Sequence, residues 1–291
     1  MAVVVTFKPS GVLLEALLRS IDRQVALILV IENTALAPRL KGLAGDLQTP
    51  CEFLVNAENS GIGHAHNQAL HFAISHGFDY LLILDQDSLP AASMVSHLLE
   101  AFSHGTDVAA VGPTIHCDTR QASTERTTQH ARPAAYLISS GTLLRVPAAI
   151  EIGGFRAQWF IDHIDHDWCM RARWQGYKLL RSEAAVLHHR LGDRTIGTWL
   201  LRKRRVAVHA PWRNYFQVRN ALFLARTKYT PISLKALFLK GSLGEAALSL
   251  LLERGRYTRL KAVLTGIRDG LCKNPGPIEP LKVCGECPNE R

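Results

Sequence analysis

The first half of the chain alternates short apolar runs with stretches of helical periodicity. Residues 2–7, 25–31 and 51–55 are apolar and rich in β-branched side chains, as in strands that are covered on both faces. Apolar residues at helical spacing follow the first run and, from Ile62 to Ile74, the third run. Residues 80–84 form a fourth apolar run. This alternation predicts an α/β fold with a mostly parallel, doubly wound sheet.

The pattern changes after residue 108. Shorter strands are predicted there, separated by a polar stretch, 116–133, which has no periodicity and which we expect to be a mobile loop. Pro90 is expected to open a helix that continues to about His104. From Pro211 to about Leu271 the chain is helical and basic, and a Pro/Gly-rich end follows. We therefore expect an α/β domain over residues 1–200, a helical basic extension over 201–271 that is a candidate for membrane association, and a flexible tail over 272–291.

The fourth apolar run stops on two carboxylates. Side chains alternate along a strand, so Asp85 and Asp87 share one face and Gln86 points the other way. Ligands of doubly wound sheets bind at the carboxyl ends of the strands, and this pair lies at such an end. Two carboxylates are good ligands for Mg²⁺ or Mn²⁺. A solvated turn remains the alternative for an isolated pair of this kind.

A second candidate is the stretch "NSGIGHAHNQAL", residues 59–70. We expect Asn59, Ser60 and Gly61 to form a turn in which Ser60 caps the helix that begins near Ile62. The amides at this helix end would then be available to a phosphate or sugar oxygen. Asn67 is a poor helix former in a helix interior, which points to a role beyond helix formation.

A third candidate joins acids and histidines just before a helical segment: Asp162, His163, Asp165, His166 and Asp167. The acids could have a purely structural role here, because acids in a first helical turn are stabilised by the helix dipole. A metal-dependent phosphohydrolase is an alternative that His188 and His189 keep open. A carboxylate here would also suit a general base that takes a proton from an attacking hydroxyl.

The net charge of the chain favours an anionic binding partner. The 291 residues include 34 Lys/Arg and 25 Asp/Glu, a formal net charge of +9. Basic and aromatic residues are concentrated in residues 200–220, which suggests a solvated basic face or a segment at an acidic membrane surface. No pattern of a nucleic-acid-binding motif accompanies them. The short N-terminal apolar run and the scattered cysteines lead us to expect a cytoplasmic protein, with Cys284 and Cys287 as a weak metal-binding candidate.

Taken together, these stretches resemble family 2 glycosyltransferases of the GT-A fold, and among them the bacterial rhamnosyltransferases. The matching pieces are "VVVTFKP", "NSGIGHAHNQAL", "LLILDQDSLP", "LISSGTLLRV", "IGGF", "FIDHIDHDWCMRARWQGYKLL", "HHRLGDRT" and "YFQVRNALFLAR". Their order and spacing agree over about residues 2–226. The resemblance implies a Rossmann-like GT-A domain and an inverting transfer from a sugar nucleotide, dTDP-L-rhamnose above all. The acceptor would be a glycan or lipid-linked glycan of a cell-surface polysaccharide such as an O-antigen.

The resemblance also implies a role for each matching residue. Asp165 takes the position of the catalytic base and Asp167 supports it, while Asp85, Asp87 and His189 would hold Mg²⁺ or Mn²⁺ and the diphosphate. The donor would be bound by residues spread over the whole match, with Trp168 completing the site: Thr6, Glu32, Asn33, Asn59, Gly61, Asn67, Asp85, Arg171, His189 and Arg219.

Two features depart from the family pattern. Glu32-Asn33 stands where the family usually has Asp-Asn, which leaves the choice of nucleobase open. The histidines at 163 and 166 are also unexpected, and we interpret them as variation around the base. Besides the phosphohydrolase, a non-catalytic module that binds glycan or nucleic acid is the remaining alternative.

Overall fold

The computed structural model describes residues 1–34, 41–116, 131–189, 195–197, 205–207, 210–278 and 281. Its strands are β1 Ala2–Thr6, β2 Ile28–Glu32, β3 Cys51–Val55, β4 Tyr80–Asp85, β5 Ser88–Pro90, β6 Val108–His116, β7 Ala131–Pro133, β8 Leu143–Arg145, β9 Lys178–His189, β10 Thr195–Gly197 and β11 Arg205–Ala207. Its α-helices are α1 Gly11–Ile21, α2 Ile62–Ser75, α3 Met94–Glu100, α4 Val146–Ile152, α5 Ile164–Trp174, α6 Pro211–Arg226, α7 Ile232–Leu252 and α8 Arg256–Cys272.

The first four strands form the parallel half of a single large sheet, in the order β3-β2-β1-β4. Their carboxyl ends are in register: Val5 lies opposite Asp85, and Thr6 lies opposite Glu32. All five residues of β1 are buried, as expected for a strand covered on both faces. The predicted parallel arrangement is confirmed for this half, and it places the ends of four strands at one edge.

The other half of the sheet is mixed. The order continues β8-β6-β9-β5, with β7 also paired to β9. Strand β8 runs antiparallel to both β4 and β6, whereas β6 and β9 are parallel. Strands β10 and β11 form a separate antiparallel pair.

Helices cover both faces of the sheet. Buried leucines and isoleucines of α1 and α3 pack on one face with Ala2 and Val4, and α2, α4 and α5 pack on the other with Val3 and Val5. The alternation within β1 therefore divides its side chains between two cores. This is the predicted layered α/β architecture.

Two segments differ from the sequence-based prediction. Residues Ser88–Pro90 form β5, a short strand paired with β9, and the following helix begins only at Met94. Proline is tolerated at a sheet edge, where its missing N–H removes no ladder hydrogen bond. The apolar run 134–146 contributes only the three residues of β8, and residues 137–142 lie outside any strand. The predicted mobile loop falls mostly on 117–130, outside the described residues.

The predicted helical region after Pro211 consists of α6, α7 and α8. Helix α6 is joined to the first 200 residues by Asn220, whose side-chain amide donates to the carbonyl oxygens of Trp159, Ile161 and Asp162. The carbonyl of Pro275 accepts a hydrogen bond from Trp159 Nε1 at 3.0 Å, so the first part of the expected flexible tail contacts the α/β domain. Residues 282–291, with Cys284 and Cys287, lie outside the described part, as do Arg202, Lys203 and Arg204. Among the described helices, none is long and apolar enough to span a bilayer.

Candidate active site

The ends of β1 and β2 form a buried polar cluster. Thr6 Oγ1 donates to Glu32 Oε2 at 2.6 Å, and Thr34 Oγ1 donates to the other carboxylate oxygen. Asn33 Oδ1 accepts a hydrogen bond from the side-chain amide of Asn56 at the end of β3, at 2.8 Å. Thr6, Glu32 and Asn33 are all buried. The residues expected at the nucleobase therefore lie together, and Glu32 is held by two hydroxyl donors.

Gln86 connects β4 to the end of β1. Its side-chain oxygen accepts from the Phe7 backbone N–H at 2.8 Å, and its nitrogen donates to the Phe7 carbonyl at 3.3 Å. The strand alternation directs Asp85 away from this contact, and Asp87 follows in the turn before β5. Asp85 and Asp87 are both partly exposed. The pair thus lies at a fixed strand end that solvent and a ligand can reach.

The segment 139–141 brings the acids of β4 and α5 to one place. The backbone N–H of Ser139 donates to Asp165 Oδ2 at 3.1 Å. The hydroxyl of the next residue, Ser140, accepts from the Asp85 backbone N–H at 3.4 Å and contacts the hydroxyl of Ser88. Consecutive α-carbons lie about 3.8 Å apart, so Asp85 and Asp165 border the same small region.

Backbone geometry fixes this segment. Gly141 has φ +80°, donates its N–H to the Ile83 carbonyl at 2.7 Å, and has no room for a β-carbon, which would lie 2.6 Å from Pro113 Cγ. Only glycine adopts this conformation without strain. The contact holds residues 139–141 against β4, next to Asp85.

Asp165 is the accessible acid of the first turn of α5. Its side chain is 21% exposed, and its two oxygens accept backbone N–H bonds from Ser139 and His166, the latter at 2.8 Å. Both bonds come from neutral groups, and the His166 ring lies 3.8 Å away. The carboxylate is therefore oriented by the backbone and remains open to a proton donor.

Asp167, two residues on, is in the opposite situation. Its side chain is fully buried and pairs with Arg156 Nε at 3.1 Å and Arg171 Nε at 2.9 Å. It also accepts from Tyr229 Oη at 2.5 Å, and burial, followed by the nearby Asp167 charge, raises the pKa of Tyr229 to about 12. Arg171 continues to the carbonyls of Ile152 and Gly154. Asp167 and Arg171 therefore fix the first turns of α5, which carry Asp165.

The chain just before α5 has an unusual backbone. Phe160, Asp162 and His163 all have positive φ, at 67°, 63° and 62°. Such a conformation costs on the order of 1–3 kcal/mol for each non-glycine residue and persists only where the surroundings impose it. Two contacts impose it here: the Asn220 amide donates to the Asp162 carbonyl, and Arg213 pairs with the Asp162 carboxylate at 2.9 Å. Arg213 is also attracted electrostatically by Asp85. Strain of this kind is concentrated at functional sites.

The turn before α2 is held by the same segment. Asn59 Oδ1 accepts from the Gly61 N–H at 3.0 Å, and Gly61 itself is the N-cap residue, at φ +86°. A β-carbon on Gly61 would lie 2.6 Å from the Phe160 carbonyl, which accepts from the Ile62 N–H. The expected Ser60 cap is therefore wrong, because Phe160 closes the helix end instead.

Asn67, Arg219 and Trp168 contact the loop that precedes α5. The Asn67 amide binds both backbone groups of Phe155, accepting from its N–H at 2.7 Å and donating to its carbonyl at 2.9 Å. Arg219 donates to the Gln158 and Trp159 carbonyls and lies over the Phe216 ring at 4.7 Å. Trp168 is buried and stacks on Phe155. These three positions hold the loop 155–160.

His163 and His166 form a contact between α5 and α7. Their Nδ1 atoms lie 2.9 Å apart, His163 Nε2 contacts Ser242 Oγ at 2.8 Å, and the His166 ring stacks on Phe238. Burial, reinforced by His166, lowers the pKa of His163 to about 4. The pair lies beside Asp165 and packs inward, in keeping with the interpretation that they are variation around the base.

The acidic strand end suits a divalent cation by its chemistry. Mg²⁺ and Mn²⁺ are hard cations that bind through one or two carboxylates and complete their shell with water and substrate phosphates. Asp85 and Asp87 supply such oxygen atoms. Over the described ranges, no group of three or more His, Cys, Asp or Glu side chains forms a metal-binding cluster. The expected third ligand, His189, is placed here only by its backbone, opposite Ser88 in the β5–β9 pair.

Several residues of the site were not predicted from sequence. They are Gln86, Ser139, Ser140, Arg156, Asn220 and Tyr229. Ser-Ser-Gly between two apolar runs is a turn signal, which would have separated residues 139–141 from the strand predicted there. Tyr229 and Arg156 lie 62 and 11 residues from Asp167, and no local pattern connects them.

A mixed sheet whose parallel half carries acids at the end of β4, with helices on both faces, is an architecture of the GT-A type. The chain matches the family model "Glycosyl transferase family 2" over residues 2–165, so it belongs to that family. The match extends from the first residue of β1 to Asp165, the second residue of α5. The phosphohydrolase and the non-catalytic module are therefore set aside.

The relatives are also glycosyltransferases. The chain is 23% identical to the dTDP-rhamnosyl transferase RfbF of Shigella flexneri, over 93% of this chain and 94% of that protein. Among solved structures it resembles the mannosyltransferase PcManGT from Pyrobaculum calidifontis, in complex with GDP-Man and Mn²⁺, with a TM-score of 0.57, 15% identity, 93% of this chain and 86% of the other. It also resembles S. aureus TarS 1-349, with a TM-score of 0.57, 12% identity, 93% of this chain and 80% of the other. These structural likenesses confirm the GT-A fold.

Proposed function

We propose that this glycosyltransferase transfers L-rhamnose from dTDP-L-rhamnose, with inversion, to a glycan or lipid-linked acceptor in the synthesis of a cell-surface polysaccharide. The observation that carries the proposal is that two adjacent serines bind the Asp85 backbone N–H and the Asp165 carboxylate, which places the two residues at one border. A diphosphate site and a proton acceptor that share one border suit a single displacement at the sugar's anomeric carbon. The dTDP-rhamnosyl transferase relative supports the choice of donor.

In the proposed reaction the acceptor hydroxyl attacks the anomeric carbon. A new C–O bond forms there, the bond to the diphosphate oxygen breaks, and its electron pair leaves with dTDP. Asp165 takes the hydroxyl proton, a contribution of about 10²–10⁴-fold in rate. Since attack and departure occur on opposite faces of the sugar, the anomeric configuration inverts.

The other residues of the site bind and orient the donor in this proposal. Thr6, Glu32 and Asn33 lie where the base of the nucleotide would be bound, and Asn59 and Gly61 shape the turn beside it. Asp87, with Asp85 and His189, would hold a divalent ion, which neutralises charge on the diphosphate when bound. Residues 1–200 form the catalytic domain, and Arg213 and Arg219 of the helical extension hold its loop 158–162. The reaction would take place in the cytoplasm, at the inner face of the membrane.

A panel of nucleotide sugars tests the donor directly. The full chain is incubated with Mn²⁺ or Mg²⁺ and dTDP-rhamnose, UDP-glucose or GDP-mannose, and its melting temperature and the slow release of free nucleotide are measured. We expect dTDP-rhamnose to give the largest upward shift in melting temperature, and EDTA to reduce it. A larger shift in melting temperature with GDP-mannose or UDP-glucose would overturn the proposed donor. A shift that EDTA leaves unchanged would overturn the proposed role of a divalent ion in donor binding.

A further inference from the structure

The last two helices expose large apolar side chains on their outer faces. In α7 the buried positions are Phe238, Ser242, Ala246 and Ser249, whereas Leu243, Leu251 and Leu252 are exposed, Leu251 at 64%. In a helix that faces water on its outer side, leucine is expected inside and serine outside. The exposed leucines of α7 therefore suggest a further partner for this helix.

Helix α8 exposes an apolar stripe more clearly. Its buried face carries two charged residues, Arg259 and Asp269. Its outer face carries a stripe at helical spacing that is exposed along the whole helix: Tyr257, Leu260, Leu264 and Leu271. Tyr257 is 81% exposed and Leu264 is 57% exposed. We call this stripe, with the exposed leucines of α7, the outer leucine face.

Close packing of α8 on α6 explains why the bulky residues lie outside. A β-carbon on Gly266 would be 2.7 Å from the Tyr215 carbonyl oxygen, and one on Gly270 would be 2.7 Å from Leu222 Cβ. Glycines four residues apart allow two helices to approach closely, as they do in membrane proteins. The inner face of α8 is therefore filled by glycines, by the paired polar residues Arg259 and Asp269 and by Val263, and the leucines of its stripe lie on the outer side.

The charges around the outer leucine face are strongly positive. Residues 232–273 contain eight lysines and arginines and three acids. Each acid is already engaged: Glu245 with Gln217, Glu253 with Arg259, and Asp269 with Tyr215 and Lys273. Lys240 and Lys261 are exposed, whereas Arg268, 69% exposed, pairs with Asp269 at 2.8 Å.

We propose that the outer leucine face of α7 and α8 lies on an anionic membrane surface, with its leucines among the lipid chains and its lysines and arginines at the acidic head groups. Apolar side chains bordered by cations are the two signals that bind a helix in the plane of a bilayer. A second copy of the chain is a poorer partner, because two faces with the same excess of positive charge repel each other. Within the described residues no helix spans the bilayer, so the contact is peripheral.

The sequence indicated a helical basic extension over 201–271 as the membrane-associated part, with residues 200–220 as its most charged stretch. Arg213 and Arg219 of that stretch are occupied by Asp162 and by backbone carbonyls of the α/β domain. The proposed membrane surface is therefore the outer leucine face of α7 and α8, and α6 lies between it and loop 158–162. The proposal does not depend on the donor or on the reaction, because it concerns binding alone.

Vesicle flotation of the full chain tests the proposal. Vesicles of phosphatidylcholine are compared with vesicles containing about one-third phosphatidylglycerol. We expect binding to the anionic vesicles only, weakened by added salt because the head-group attraction is screened. The double variant Leu260→Ser with Leu264→Ser should bind about tenfold less, since it removes the apolar signal.

The control is the double variant Val12→Ser with Leu99→Ser. Both residues are exposed, at 77% and 42%, on the helices that cover the other face of the sheet. It should bind vesicles like the unaltered chain, and melting curves of both variants verify folding. Equal binding by the two double variants, or no binding by the unaltered chain, would overturn the proposal. A dimer in sedimentation that is lost in Leu260→Ser with Leu264→Ser would overturn it in favour of a second copy.

Discussion

The carboxyl edge of β1–β4 and the first turn of α5 both bring acids to the candidate site, but different contacts hold them. At the strand edge the partners are neighbours in register, such as Thr6 and Glu32. At α5 the partners are not neighbours in a strand ladder: Asp167 is held by Arg156, 11 residues before it, and by Tyr229, 62 residues after it. The edge is therefore a property of the sheet, whereas the first turn of α5 depends on contacts with a loop and with the segment after α6.

The two acids of α5 show the same contrast at short range. Asp167 is fully buried between two arginines, and Asp165 is partly exposed with backbone donors only. A buried and fully paired carboxylate is a structural group, and an accessible one beside a ligand site is available for chemistry. We infer that one helical turn divides positioning and proton transfer between two aspartates.

The largest effect on stability is expected from Arg171→Met. It leaves Asp167 buried with one fewer cation and removes the bonds to the Ile152 and Gly154 carbonyls. Loss of one partner of a buried ion pair costs about 3–5 kcal/mol. Denaturant unfolding measures this, with Arg173→Met, an exposed arginine of the same helix, as the control at about 0.5 kcal/mol or less. Similar losses in both variants would remove the distinction between the two regions.

Acid should destabilise the protein through buried histidines next to α5. His66 on α2 is fully buried, neither ring nitrogen has a hydrogen-bond partner among the described residues, and burial lowers its pKa to about 4. The unfolded chain, with an ordinary histidine pKa of about 6.5, then binds more protons than the folded one. Stability is complete above pH 6.5 and falls as the pH drops toward 4, by up to about 3 kcal/mol for this residue.

In the variant His66→Leu the free energy of unfolding should decrease less as the pH falls. Unfolding free energies are measured between pH 7 and pH 4, and His163, whose pKa is also lowered to about 4, keeps part of the slope in the variant. His71→Leu, at an exposed position of the same helix, is the control and should keep the full slope. A slope in His66→Leu equal to that of the unaltered chain would contradict the assignment.

The smallest effect is expected at the strand edge, from Gln86→Leu. The variant removes the two bonds to the Phe7 backbone, which lie at the surface, so we expect a loss of about 1 kcal/mol or less. The donor should bind a few-fold more weakly while the rate at saturation stays nearly unchanged. Calorimetric binding of dTDP and steady-state rates separate the two effects, with the exposed Gln48→Leu as the control. A fall in the saturated rate with unchanged dTDP binding would show that Gln86 acts elsewhere.

The contrast also explains what sequence could predict. The parallel strands and the place of Asp85 and Asp87 follow from local alternation, which is why these were predicted correctly as elements of the fold. The Arg171–Asp167 pair has helical spacing and is local as well. Ser139 and Ser140 lie 26 and 55 residues from the groups that they bind, so only the folded chain brings them together.

The proposed membrane face is a further example. The clustered charges of residues 200–220 were conspicuous in the sequence, but Arg213 and Arg219 are used inside the molecule. The leucines of α7 and α8 gave no such signal, because an apolar stripe in a helix normally indicates the core. Only their exposure distinguishes them.

The division of work between Asp165 and Asp167 is tested most directly by Asp165→Asn, an isosteric change that removes the proton acceptor. We predict that turnover with dTDP-rhamnose falls by about 10² or more, while the dissociation constant of dTDP stays near that of the unaltered chain. The melting temperature should fall only slightly, because Asn keeps one of the two backbone bonds. Asp167→Asn should lower the melting temperature much more, because Asp167 is buried between two arginines. If Asp165→Asn retained nearly full turnover, Asp165 would not be the base, and the account of the site would be wrong.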